Sequence, residues 1–287
     1  MRRKQAREAG VKENGVTMGY EDLVCGCDVG STTGKALILK GGEVIGYSVI
    51  PCAVRPEVTA ERALAAALER AGLPPDTHFQ YVVGTGYGRI RIKFADENVS
   101  EITCHGLGAF HLDNEARTII DIGGQDCKVI RLSPAGKVID FAMNDKCAAG
   151  TGRFFEAMAR VLGLGLEELA ALSESSRNPA RITSQCSVFA ESEVITLLNE
   201  GTGLEDIAAG INEAIAARLS SLTRKVGPEG KVVVTGGCAK NPGLLKALRQ
   251  KLGMEISVPK MDPQVVGALG AALIARRRVL EELTKHG

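Results

Sequence analysis

Two stretches of the chain follow the same pattern of hydrophobic and polar positions. Each opens with a short apolar run that ends in Asp-x-Gly, LVCGCDVG at 23–30 and TIIDIGG at 118–124. Two more strand-like runs follow around a Gly-containing hairpin turn, KALILK and VIGYSVI in the first stretch, CKVIRL and VIDFAM in the second. Helical periodicity comes next, at 56–72 and at 151–162. The pattern predicts a duplicated α/β unit with a cleft between its halves.

A third strand-to-turn junction, VVVTGGCAKNP, occupies 232–242. Asn241 is a favoured N-cap residue and Pro242 a favoured first helical residue, so a helix is predicted to begin here and to run to about Lys251. A pair of glycines at such a junction lets a flat ligand lie against bare backbone. A last helix is predicted over 264–278.

Composition and charge argue against several classes of function. The chain has 287 residues with 35 Lys and Arg against 34 Asp and Glu, and a net charge of +1 favours neither nucleic acid nor an anionic membrane. Aromatic residues make up 4% and Trp is absent, so stacking platforms for single-stranded nucleic acid are scarce. Residues 1–22 are polar and predicted to be a flexible tail, and no stretch is long enough to span a bilayer. The protein is expected to be cytoplasmic, with neither nucleic acid nor membrane as a partner.

The cysteines divide into two groups. The expectation of a small buried hydrophobic side chain applies to Cys25, Cys27, Cys52, Cys104 and Cys127. Cys147 and Cys186 instead precede predicted helix N-termini, the first with Thr151 as N-cap and the second near Ser187, where the helix end favours the metal-binding thiolate. Two thiols do not complete a four-cysteine iron–sulfur site, but a two-fold symmetric dimer supplies four. By spacing alone, two buried or helix-capping cysteines are the simpler interpretation.

Two other nucleotide-binding motifs do not fit. A Walker loop requires Gly where the chain has Val29, and Ser or Thr where it has Ala36. The run Gly84-Thr-Gly86-Tyr-Gly88 lacks the spacing of a dinucleotide fingerprint, and the sequence assigns it no chemistry.

Several charged or titratable residues receive a structural interpretation. His105 and His111 are six apart on a helix-like stretch, which does not put them on one face as ligands. Glu191 and Glu193 are interpreted as helix surface or a hinge contact. Arg218 and its neighbours are interpreted as a solvated helix face.

The three glycine-rich junctions, in this order and spacing, resemble the nucleotide site of the superfamily of acetate and sugar kinases, heat-shock chaperones and actin. Asp28–Lys35 matches the first phosphate motif, Asp121–Asp126 the second and Thr235–Asn241 the adenosine motif. Either turn alone could be a tight β-turn, but the likeness covers about 23–278. It implies an α/β fold of two duplicated actin/ribonuclease-H-like domains with a nucleotide cleft between them.

The resemblance also divides the chain. After the tail at 1–22, the first domain is expected at 23–115 and the second at 116–287, which carries Cys147 and Cys186. A C-terminal helix near 264–280 is able to pack back onto the first domain.

Roles within the cleft follow from the same resemblance and from phosphate chemistry. Asp28 and Asp121 are expected to hold Mg²⁺ through its waters, and Gln125 to orient a water. The turns supply backbone N–H donors for phosphates. The other nucleotide-binding residues are expected to be Ser31, Thr32, Thr33, Lys35, Gly123, Gly124, Asp126, Gly236, Gly237, Lys240 and Asn241.

The segments around two cysteines narrow the resemblance. NDKCAAGTGRF and SQCSVFAESEV resemble the cluster-ligand segments of the activator ATPases of 2-hydroxyacyl-CoA dehydratases, and of the ATPase subunits of benzoyl-CoA reductases. The resemblance implies that Cys147 and Cys186 of two identical subunits hold one 4Fe–4S cluster in a homodimer. It also implies ATP and Mg²⁺, ferredoxin or flavodoxin as electron donor, and a client dehydratase or reductase that receives one low-potential electron.

Two other functions stay open on the same fold. A small-molecule kinase acting on a sugar or carboxylate could use Asp126 as its base, although it leaves the two cysteines unexplained. A nucleotide-dependent assembly protein would polymerise with ATP and contain no iron.

Overall fold

The computed structural model describes residues 22–144, 147–184 and 186–286, and the predicted tail at 1–22 lies outside the described residues except for Asp22. The strands are β1 (Leu23–Val29), β2 (Thr33–Lys40), β3 (Glu43–Pro51), β4 (Tyr81–Thr85), β5 (Glu97–Asn98), β6 (Ala116–Ile122), β7 (Cys127–Leu132), β8 (Val138–Asn144), β9 (Lys231–Thr235) and β10 (Ile256–Ser257). The helices are α1 (Pro56–Arg70), α2 (Glu101–Leu112), α3 (Gly152–Leu162), α4 (Leu166–Glu174), α5 (Ser187–Asn199), α6 (Leu204–Val226), α7 (Pro242–Leu252) and α8 (Val266–His286).

The strands form two sheets with the same topology. The first has the order β3-β2-β1-β4-β5, and the second, read in the same sense, β8-β7-β6-β9-β10. In each sheet the first three strands in sequence pair antiparallel, and the two later strands add in parallel to the first. The predicted duplicated α/β fold is therefore confirmed.

Two helices lie between the sheets. Helix α8 packs against β1 and β4 of the first sheet, whereas α2 packs against β6 and β7 of the second, and the two helices pack on each other. Their contacts bury apolar side chains on both sides, such as Leu269 on α8 and Ile102 on α2. The expected domain boundary between residues 115 and 116 stays a prediction.

Local sequence signals account for most helix starts, with one exception. Asn241 caps α7 as predicted, because its Oδ1 accepts a hydrogen bond from the Leu244 amide at 3.1 Å. Thr151 occupies the N-cap position of α3, but its hydroxyl donates to the Ala148 carbonyl at 2.6 Å and does not cap the helix. The hydrophobic pattern gives no prediction for β5, β10 or α4, since two-residue strands carry no periodicity. No helix within the described ranges is long and apolar enough to cross a membrane.

Candidate functional site

A cleft of about 520 Å³ opens between the two sheets, at the ends of β1 and β6. Every residue that the sequence predicts for the nucleotide site lines this cleft, with the exception of Gln125. Gln125 lies in the same turn as Gly123 and Gly124, but its side chain is exposed. The three glycine-rich junctions, far apart in sequence, thus meet at one site.

An aspartate and a lysine face each other in both halves of the cleft. Asp28 ends β1 opposite Lys35 on β2, and Asp121 ends β6 opposite Lys128 on β7. Lys35 Nζ lies 3.2 Å from Asp28 Oδ2, and Lys128 Nζ lies 3.4 Å from Asp121 Oδ2. All four side chains are buried, so each carboxylate faces its cation away from bulk water.

Asp121 is held by donors from three other elements. The Thr235 hydroxyl donates to its Oδ1 at 2.8 Å, and His105 Nδ1 lies 3.4 Å from the same oxygen. Burial by itself raises the pKa of Asp121, but His105, Lys128 and the Thr235 hydroxyl together lower that pKa to about 2. Asp121 is therefore an ionised carboxylate at neutral pH.

Lys128 connects Asp121 to two further carboxylates. Its Nζ lies 2.7 Å from Asp126 Oδ2 and 3.5 Å from Glu101 Oε2. Burial lowers the pKa of Lys128, but the surrounding carboxylates outweigh burial and raise it. Burial also raises the pKa of Glu101, against the opposing effect of Lys128. The cleft thus holds a buried ammonium among three carboxylates.

Sequence reasoning missed three residues of the cleft wall. Lys128 and Glu101 received no role, and His105 received a structural one, yet all three line the cleft. A signal for Lys128 was present, because Asp28 to Lys35 and Asp121 to Lys128 have the same spacing. His111, at the other end of α2, is exposed.

The run Gly84-Thr-Gly86-Tyr-Gly88, to which the sequence assigns no chemistry, is the first-half counterpart of the Thr235-Gly236 turn. Thr85 lies opposite Asp28 in the parallel pair β1/β4, as Thr235 lies opposite Asp121 in β6/β9. Gly86 has φ +86° and Gly236 has φ +84°. A Cβ on Gly86 would contact Asp28 and Val29, so the turn requires glycine.

The adenosine-motif junction is braced by side chains from neighbouring segments. Lys240 Nζ lies 2.9 Å from Asp262 Oδ2 and donates to Gln264 Oε1 at 2.8 Å. Asn241 Nδ2 donates to Asn212 Oδ1 on α6 at 2.9 Å. The Gly236–Asn241 backbone therefore has a defined position at one end of the cleft.

The cysteines differ in burial. Those buried as predicted are Cys25, Cys27, Cys104 and Cys127, while Cys52, also predicted to be buried, is half-buried. Burial raises the pKa of Cys25 and of Cys104 to about 12 and that of Cys127 to about 11, so these stay protonated thiols. Cys147 is half-buried and Cys186 is exposed. No group of three or more His, Cys, Asp or Glu within the described residues could hold a metal ion.

The segment after Cys147 is tied to the second glycine-rich turn of the cleft. The first amides of α3, those of Gly152 and Arg153, donate to the Gly123 and Gly124 carbonyls at 2.9 and 2.8 Å. The Cys147 carbonyl accepts from Asn144 Nδ2 at 3.0 Å, at the end of β8. A displacement of this turn would therefore pull directly on α3.

Cys186 is the N-cap residue of α5, which packs against α3. Residues from both cysteine segments, among them Gly150 and Ser184, line a second cavity of about 410 Å³. Arg218 also lines this cavity and is half-buried, so it does not belong to a fully solvated helix face. The two cysteine segments thus lie on the same side of the second sheet.

Comparison with known proteins agrees with this geometry. The family model described as "BadF/BadG/BcrA/BcrD ATPase family" matches residues 25–275. The activator of lactoyl-CoA dehydratase from Anaerotignum propionicum is 47% identical over 250 residues, which is 87% of this chain and 96% of that protein. The (R)-2-hydroxyglutaryl-CoA dehydratase activating ATPase from Acidaminococcus fermentans is 43% identical over 255 residues, 88% of this chain and 96% of that protein. Among solved structures, the activator of the 2-hydroxyisocaproyl-CoA dehydratase from Clostridium difficile with bound ADPNP has a TM-score of 0.87 and 42% identity, over 92% of this chain and 97% of that one.

Proposed function

The chain belongs to the BadF/BadG/BcrA/BcrD ATPase family, and on that premise we propose that it is an ATP-dependent reductive activator. In this proposal a homodimer couples ATP hydrolysis to the transfer of single low-potential electrons to a client enzyme. The client is a dehydratase of the 2-hydroxyacyl-CoA type or a related reductase, as the names of the relatives suggest. Ferredoxin or flavodoxin is the proposed electron donor.

The residues of the cleft suit a magnesium nucleotide. Asp28 and Asp121 are buried carboxylates at the base of the cleft, where they can accept hydrogen bonds from the waters of Mg²⁺. Amides of the turns at 30–33 and 123–124 face phosphate oxygens, together with the Lys35 ammonium. The bare backbone at Gly236 and Gly237 receives the adenosine. An ADPNP-bound structure of a 42% identical protein supports this assignment.

Two residues are candidates for orienting the attacking water. Gln125 lies on the second turn, and Glu101 lies in the cleft wall beside Lys128. The water oxygen attacks the γ-phosphorus, ADP leaves with the bond's electron pair, and the proton of the water passes to a base or to phosphate. Positioning of the water and phosphate contributes most of the rate enhancement in such reactions.

The two cysteines fit a cluster shared by two subunits. Cys147 and Cys186 are the least buried of the predicted groups, whereas a metal site confined to one chain lacks ligands among the described residues. Val188 and Phe189, directly after Cys186, are 65% and 68% exposed. Such an apolar pair beside the thiol suits a two-fold interface, at which four thiolates meet. A 4Fe–4S cluster held by them supplies one-electron transfer at low potential.

The observation that carries the proposal is the backbone link between the cleft and the helix that follows Cys147. Gly123 and Gly124 face phosphate on one side, and their carbonyls hold the first amides of α3 on the other. Because α3 packs against α5, a shift of the turn on nucleotide binding or hydrolysis moves both cysteine-bearing helix ends. The chain itself thus offers a path from phosphate to thiol.

The decisive experiment measures iron and acid-labile sulfide in protein purified without oxygen. Four irons per dimer, absent from the double variant Cys147→Ala, Cys186→Ala, would support the shared site. ATP hydrolysis by both proteins is the matched control, since the substitutions lie outside the cleft. No iron in the wild-type protein after reconstitution would refute the activator and leave a small-molecule kinase as the function to be tested.

A further inference from the structure

Glu193, on α5, holds the segment that leads into Cys186. Its carboxylate accepts hydrogen bonds from the Thr183 amide at 3.0 Å, from the Thr183 hydroxyl at 2.9 Å and from the Ser184 amide at 2.9 Å. Both carboxylate oxygens take part, since the Thr183 amide is also 3.0 Å from the second oxygen. One side chain therefore satisfies two backbone amides of a segment that has no regular secondary structure.

These bonds close a ring of chain around Cys186. On its C-terminal side, Cys186 is joined to α5 as the N-cap residue, and its carbonyl accepts from the Ala190 amide at 2.9 Å. On its N-terminal side, Thr183 and Ser184 are joined to the same helix through Glu193. Cys186 is thus anchored to α5 from both directions, although its own side chain is exposed.

The charge of Glu193 matches this task. A carboxylate that accepts from backbone amides forms stronger hydrogen bonds than a neutral amide side chain. Burial alone raises the pKa of Glu193, but the amides of Thr183 and Ser184 and their side chains lower it, so the group is ionised at neutral pH. Each bond to the charged group is worth more than an ordinary one.

We propose that Glu193 is a positioning residue that makes Cys186 and α5 one rigid unit. A rotation of α5 then carries the Cys186 thiol with it, and the segment at 183–184 does not uncouple the thiol from the helix. The proposal that this thiol is a cluster ligand is the premise for the consequence in the loaded dimer. The rigid unit itself is a property of the chain without iron.

The test compares Glu193→Gln and Glu193→Ala with Glu191→Gln, a control that lies on the same helix and takes no part in the contact. In iron-free protein, hydrogen–deuterium exchange of the peptide containing Thr183 and Ser184 reports the clamp. Alkylation of Cys186 by iodoacetamide reports the position of the thiol. In protein loaded with iron, the rate at which a chelator removes it reports the ligand.

In Glu193→Ala, exchange at 183–184 and alkylation of Cys186 are expected to accelerate roughly tenfold or more, with Glu193→Gln intermediate. Iron loss is expected to accelerate in the same order, while Glu191→Gln matches the wild type. Unchanged exchange or unchanged alkylation in Glu193→Ala overturns the proposal, as does faster exchange combined with wild-type iron loss. A wild-type protein that binds no iron refutes the proposed function instead, and exchange and alkylation then decide the role of Glu193. Glu193→Gln keeps the size of the side chain, so the test does not depend on the alanine variant folding.

Discussion

Lys35 and Lys128 occupy the same position in the two halves of the molecule. Each lies opposite the aspartate that ends the first strand of its sheet, Asp28 and Asp121, across an antiparallel pair. The surroundings of the two pairs differ. Lys128 also faces Asp126 and the Glu101 side chain of α2. The duplication therefore produced one simple ion pair and one buried network in a single cleft.

Removal of the Lys128 charge should destabilise the fold. Lys128→Met leaves Asp121, which is 3% exposed, without its nearest cation. Loss of one partner from a buried pair costs roughly 3–5 kcal/mol. Urea unfolding of the nucleotide-free protein measures the loss. As a control, Lys251→Met breaks a half-exposed pair with Glu213 and should cost less than about 1 kcal/mol; equal losses would contradict burial as the cause.

Acid stability should depend on Asp121. Its pKa is lowered from 3.8 to about 2 in the folded protein, so the stability it contributes is complete above its unfolded pKa. That contribution, roughly 2 kcal/mol, is lost as the pH falls from about 4 through about 2. The free energy of unfolding of Asp121→Asn, measured from pH 5 to pH 2, should show a shallower decline than that of the wild type. Parallel curves would argue against the lowered pKa.

The Gly86 turn should matter for nucleotide binding as the Gly236 turn does. Gly86→Ala places a methyl group against Asp28 and Val29, in addition to the strain of a positive φ. We expect weaker ADPNP binding by calorimetry, together with a larger stability loss than in a control. Gly72→Ala is that control, because Gly72 also has a positive φ but no atom lies within 4 Å of the added Cβ. It should cost about 1–2 kcal/mol and leave binding unchanged; identical behaviour of the two variants would remove the special role of Gly86.

Glu101 and Gln125 can be separated by kinetics. Glu101 lines the cleft, and Gln125 is exposed in the same structure. If Glu101 accepts the proton of the attacking water, Glu101→Gln lowers kcat for ATP hydrolysis by roughly a hundredfold with little change in KM. Gln125→Ala should have the smaller effect. The reverse order would assign the water to Gln125.

The apolar pair after Cys186 should govern dimer formation. Phe189→Asp places a charge at the side chain that is 68% exposed beside the thiol, and burying that charge in an interface is costly. Light scattering coupled to size exclusion is expected to show a monomer. Leu280→Asp, on α8 and 42% exposed, is the matched control and should leave the dimer intact. A dimer in both variants would place the interface elsewhere.

The sequence alone predicted most of the regular structure and nearly all of the nucleotide cleft. Asp-x-Gly turns after apolar runs, the Asn241-Pro242 helix start and the helix at 101–112 depend on propensities and hydrogen bonds within a few residues. Such local signals survive in the fold because neighbours in sequence stay neighbours in space. The order of three such junctions was enough to predict the duplicated fold.

Only the tertiary structure decided which distant side chains meet. Glu101 and His105 reach Asp121 and Lys128 because α2 packs across the second sheet, and no periodicity encodes that crossing. The same holds for Glu193, which lies 10 residues from Thr183 and contacts it only after α5 has formed. Helix periodicity tells which face of a helix is buried, but the packing of whole elements determines which charges are buried together. For that reason the sequence by itself determined the turns and the strands, while the ion network and the anchoring of Cys186 arose from the fold.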